Sequence, residues 1–199
     1  MPGPTRGLIR TFTGKEINPV ALRPEDIDIR DIAHGLAHVN RFGGQTKFAI
    51  NVAQHSVLAM RLVKFWDGTP EEQLQALLHD ASEAYLGDVT KWVKALEIMH
   101  GYRLAEHAAM QAICKTFKID AAMGELVDRA DRLLVRFEGL HGFGPDFKID
   151  HPNYPRLTEH ELRLAPLSGW SPWASYYSKS VFLREFSLLA GISPVVHSA

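Results

Sequence analysis

A chain of 199 residues, 46% hydrophobic and 23% charged, suits one domain over residues 1–199 with a proper core. Its formal net charge of −1 leaves no global field to gather nucleic acid or an anionic membrane. The single cysteine, Cys114, cannot close an intramolecular disulfide, and no apolar run reaches membrane-spanning length or forms a signal-peptide core. A soluble cytoplasmic protein is therefore expected.

Residues 7–29 read as extended and turn-rich, because TFTGKEINP and ALRPEDIDI carry two prolines and a glycine that break any helix. From there the pattern predicts helices near 30–40, 47–65, 70–86, 89–97, 100–117, 121–141 and 175–190. In the first, His34 and His38 stand at the i, i+4 spacing of a helical zinc pair, but packing or solvent exposure is the simpler reading. Gly43 and Gly44 lack the frame of a phosphate-binding loop and predict a turn of close approach. The third helix starts cleanly: Thr69-Pro70-Glu71-Glu72 offers an N-cap, a proline at N1 and a capping-box glutamate. Cys114, inside AAMQAICKTF, reads as a small core residue. Residues 141–157, rich in Gly, Pro and aromatics, read as a structured loop, and GWSPWASYY as an aromatic loop entering the last helix. The expected architecture is all-α, one helical bundle with a short extended N-terminal cap.

Projection at about 100° per residue separates faces. In segment 70–86, Leu74, Leu77, Leu78, Ala81 and Tyr85 form one arc, and His79, Asp80 and Glu83 the opposite one. Alone, that polar arc is what a solvated face looks like. His55, however, projects into the apolar stripe of Phe48, Val52, Ala59 and Leu62, where a hydrogen-bonded core histidine is the simpler reading. In helix 121–141 the outer charged stripe is Glu125, Arg129, Arg132 and Arg136. Asp131 lies on the other side among Val127, Leu134 and Val135, with Glu138 one heptad further along. An uncompensated buried carboxylate costs several kcal/mol, so Asp131 should be neutralised, paired or metal-bound. One arrangement satisfies all of these residues: His55, His79, Asp80 and Asp131 enclose one divalent cation across the bundle. Mixed N/O ligation suits Mn, Co, Fe or Zn and tolerates Mg, and the absence of thiolate argues against a structural zinc.

The order H…HD…D, embedded in NRFGGQTKFAINVAQHS, ALLHDASEAYLGDVTKWVK and VDRADRLLVRFE, resembles the HD-domain phosphohydrolases. The likeness is to the bacterial 5′-deoxynucleotidase branch, most of all its phage- and prophage-encoded members. It runs from TFTGKEINP to APLSGWSPWASYYSKSVFLREF. The resemblance implies an HD-type bundle, a metal-dependent enzyme and a small nucleotide substrate, with homo-oligomerisation to a dimer or higher. It implies that Glu83 orients or deprotonates the attacking water, and that Asp88 protonates the leaving oxygen. Arg41 and Phe42 would hold phosphate and stack on the base, and Lys94 would neutralise phosphate. Relatives often carry lysine where this chain has Asp128, followed here by Arg129. Asp128 would repel a polyphosphate tail if it faced the pocket, which favours deoxyribonucleoside 5′-monophosphates over dNTP triphosphohydrolysis. A non-catalytic HD signalling or binding protein is the reading from another class. The intact ligand set and the lack of a basic patch count against it.

Overall fold

The computed structural model describes residues 7–149, 154 and 156–192. Among the described residues eight α-helices run in order: α1 (Ile29–His38), α2 (Val52–Phe65), α3 (Pro70–Leu78), α4 (Glu83–Leu86), α5 (Lys91–Lys94), α6 (His100–Phe117), α7 (Glu125–Phe143) and α8 (Ser175–Leu189). The N-terminal cap is a two-stranded antiparallel ribbon, β1 (Ile9–Arg10) with β2 (Glu16–Ile17), pairing Ile9 with Ile17. The protein is an all-α bundle, as the hydrophobic periods predict. Among the described residues no helix is long and apolar enough to cross a membrane. Of the predicted loop at 141–157, residues 150–153 and 155 lie outside the described ones.

Helix α2 is the axis of the bundle. Residues Val52–Met60 are all buried, and α1, α3, α7 and α8 pack around them. A helix covered on every side stabilises the fold through apolar area, at about 25 cal/mol per Å² removed from water. It also leaves no water for a polar side chain within it, so His55 and Gln54, both 0% exposed, must find protein partners. Gln54 does so by donating to Ser171 O and accepting from Trp173 N, which ties the aromatic loop before α8 onto α2.

The predicted helix 70–86 is in fact two. The Thr69 capping box forms as expected, with Glu72 accepting from Thr69 N at 2.8 Å. After Leu78, however, Ala81 N–H bonds Leu78 O and Glu83 N–H bonds Asp80 O, tightening the backbone to i→i−3 turns. The cause is local: His79 Nδ1 lies 2.8 Å from Ala76 O, the carbonyl that a continuous helix would offer to the Asp80 N–H. This break turns His79, Asp80 and Glu83 toward one centre instead of spreading them along a solvated arc. On the far side, α1 crosses α4 at Gly35. A Cβ there would stand 2.7–2.9 Å from Ala84 atoms, so only glycine permits the approach.

Two further expectations are corrected. Arg136 is not on the outer stripe: it is buried, donating to Tyr154 O at 2.9 Å and Ile149 O at 2.8 Å. It closes the segment after α7 back onto the bundle, a demand that projection of one helix cannot register. The helix predicted over 89–97 shortens to α5 followed by a 3-10 turn at Glu97–Met99.

Candidate metal centre

Three elements deliver the site: α2 brings His55, the turn after α3 brings His79 and Asp80, and α7 brings Asp131. His55 Nε2 stands 3.2 Å from His79 Nε2, 3.3 Å from Asp131 Oδ1 and 3.6 Å from Asp80 Oδ2. His79 Nε2 lies 3.3 Å from Asp80 Oδ2 and 3.9 Å from Asp131 Oδ1. His55, His79 and Asp80 offer ligand atoms that all lie within 4.8 Å of one another, and Asp131 joins through both imidazoles. Two donors about 2.1 Å from one ion stand roughly 3.0–3.4 Å apart at octahedral or tetrahedral angles, so the imidazole spacing fits a divalent cation. The donor chemistry fits as well, since two imidazoles and two carboxylates form a mixed N/O set.

Beside the donors, α4 carries Glu83, which is 4% exposed. Its Oε1 lies 3.4 Å from Lys94 Nζ, while its Oε2 is buried with no hydrogen-bond partner. A buried acceptor aimed into the site is what a water-orienting base requires. A cavity of about 170 Å³ opens here, lined by Asp80, Glu83, Asp88, Asp131, Phe42 and Lys94 among others. Asp88 sits just past α4 on a loop anchored by Tyr102, whose hydroxyl donates to Gly87 O at 2.8 Å. Phe42 reaches the cavity from a left-handed stretch in which Phe42, Gly43 and Gly44 have φ of 57°, 59° and 72°. Edge contacts to Phe143 and Phe147, with centroids 5.4 and 6.1 Å away, hold its ring.

Charge is arranged around Arg41, which is buried and points inward. Its Nη1 is 3.2 Å from Asp80 Oδ2, its Nη2 3.9 Å from Asp131 Oδ1 and its Nε 2.8 Å from Glu138 Oε2. The Nε contact is an ion pair whose N–H is not aligned for a hydrogen bond. Burial opposes charge on His79, yet Asp80 and then Asp131 push its pKa up to about 9. Burial likewise works against ionised Asp80, but His79, His55 and Arg41 hold it well below the carboxylate range. Glu83 goes the other way: burial first, then Asp80 and Asp88, raise it well above an ordinary glutamate. Burial also raises Asp88. Asp80 and Glu83, two carboxylates of one short segment, are thus driven in opposite directions by their different neighbours.

All nine residues singled out in the sequence meet at this place, though not all as expected. Lys94 faces the site but is paired with Glu83 and Glu106. Asp128 does not line the cavity; it pairs with Arg132 on the outer face of α7. Arg129 stacks over Trp66, 4.2 Å from the ring centroid. His34 and His38 stack on each other at 4.3 Å, with Phe12 on His34, away from the centre. Sequence reasoning missed Lys91, which lines the cavity and donates to Tyr154 Oη at 2.8 Å. It noted the face of Glu138 but gave it no role.

No family model matches the chain. An uncharacterized protein of Rhodobacter capsulatus is 39% identical over 129 residues, 63% of this chain and 65% of its own length. The uncharacterized protein YfdR of Escherichia coli strain K12 is 34% identical over 184 residues, 92% of this chain and 96% of its own length.

Proposed function

The chain belongs to the same family as Escherichia coli YfdR, and on the geometry of its site we propose that it is a metal-dependent phosphohydrolase of the HD-domain type, acting on deoxyribonucleoside 5′-monophosphates. The observation that carries this reading is the convergence of His55, His79, Asp80 and Asp131 on one point, with Glu83 Oε2 unpartnered beside it. A divalent ion held by those four residues would polarise a phosphoryl oxygen and acidify a bound water. Glu83, with its raised proton affinity, accepts the proton of the attacking water. Asp88, also raised, is poised to return a proton to the departing 5′ oxygen. Phe42 offers the nucleoside an aromatic face at the cavity rim.

The charge inventory supports a monophosphate. Arg41 is already engaged by Asp80, Asp131 and Glu138, and Lys94 by Glu83 and Glu106, so Lys91 is the further cation among the described residues lining the cavity. That suits about two negative charges better than the roughly four of a triphosphate. Repulsion by Asp128, which faces outward, plays no part. One observation favours dNTP triphosphohydrolysis as a second reading: a larger cavity of about 350 Å³ adjoins the first through Asp80 and Lys94, and carries Arg103 and His107. Incubation with dAMP and dATP in the presence of Mn or Co separates the two. Deoxyadenosine and orthophosphate from dAMP are expected. Stoichiometric triphosphate from dATP with dAMP untouched reverses the order, and hydrolysis of neither nucleotide by ion-loaded protein refutes both.

A further inference from the structure

We propose that Glu138 is a positioning residue that fixes His55 with its proton on Nδ1 and, through the same carboxylate, holds Arg41 against Asp80 and Asp131. Its metal-binding consequence rests on the reading above, but its hydrogen-bonding consequence does not.

Glu138 is 0% exposed, so its carboxylate has protein partners alone to offset desolvation. It has two. His55 Nδ1 lies 3.1 and 3.2 Å from its two oxygens, and Arg41 Nε lies 2.8 Å from Oε2. A carboxylate only accepts, so the neutral His55 ring must carry its proton on Nδ1. The opposite tautomer would aim a nitrogen lone pair at a buried anion. With Nδ1–H committed, the Nε2 lone pair is presented where His79, Asp80 and Asp131 converge. This is the arrangement by which a carboxylate behind an imidazole sets ring orientation and raises ligand basicity. Arg41 supplies the balancing charge, and its remaining nitrogens reach Asp80 and Asp131. One buried anion therefore sets the direction of a metal-facing imidazole and of the guanidinium that spans both metal-facing carboxylates.

The test uses Glu138→Met, which keeps length without an acceptor, and Glu138→Gln, which can still accept from Nδ1–H. Arg41→Met/Glu138→Met removes both members of the buried pair, so the cost of an orphaned charge on folding is avoided. Manganese affinity by calorimetry should fall about 10–100-fold in both Met variants and recover in part with Gln. Nitrogen-15 shifts of His55 in metal-free protein, at alkaline pH where the ring is neutral, should report Nδ1–H in wild type and Gln. The Met variants should lose that preference, which a packing role alone would not cause. Unchanged affinity together with an unchanged His55 tautomer in the double variant overturns the proposal. Wild-type protein that binds no manganese refutes the phosphohydrolase reading instead, while the nitrogen shifts still decide the role of Glu138.

Discussion

Replacing Glu83 with glutamine separates chemistry from coordination. Glutamine keeps the shape of the side chain and can still accept from Lys94, whose Nζ also retains Glu106. Glu83 is not among the four converging donors, so ion binding should persist. What disappears is a base whose proton affinity is raised by burial, by Asp80 and by Asp88. General-base assistance is worth about 10²–10⁴ in rate, so turnover should fall by at least 10², close to 3 kcal/mol of barrier. Stability should stay the same or rise, because an acid held above its ordinary range destabilises the fold once it ionises. The pH–rate profile adds a second readout. Activity requires ionised Glu83, so the acidic limb of the wild-type profile should lie above the usual carboxylate range and vanish in the variant. Turnover of dAMP within a few fold of wild type, with the limb unmoved, would refute a catalytic role and return Glu83 to the status of a buried salt-bridge partner.

His55→Ala and Asp131→Ala should each empty the site, and metal content after extensive dialysis checks this; full occupancy in both sinks the ligand assignment. His79, pushed up to about 9 from an ordinary value near 6.5, must lose a proton before it can coordinate. Affinity for manganese should therefore climb about tenfold per pH unit toward 9 and then level off, whereas a flat profile counts against His79 as a ligand. By the same linkage, the contribution of His79 to metal-free stability is full below about 6.5 and is lost as pH rises through about 9, which thermal melts across that window can follow. Gly35→Val should destabilise by about 1–3 kcal/mol, because any Cβ meets Ala84 at 2.7–2.9 Å; an unchanged melting temperature means that α1 and α4 do not pack as described.

The sequence alone determined the class of fold, and it singled out residues that the fold brings together. Apolar periods near 3.6 are a local property of each helix, and they sufficed for an all-α bundle and for the start of α3 at Thr69-Pro70. His55 and Asp131 stood out because a polar residue on an apolar face needs a partner wherever the helix ends up. Tertiary structure decided what no single helix encodes. The His79 side chain takes the Ala76 carbonyl and breaks the predicted long helix, which converts a solvated arc into one wall of a site. Arg136 turns inward because carbonyls of Ile149 and Tyr154, 13 and 18 residues away, await a donor. Asp128 turns outward because Arg132, one turn on, offers the nearer partner. Glu138 finds His55 across 83 residues and Arg41 from another segment. Periodicity assigns a residue to a face, but the charge that meets it there comes from another part of the chain, and only the packed fold brings the two together.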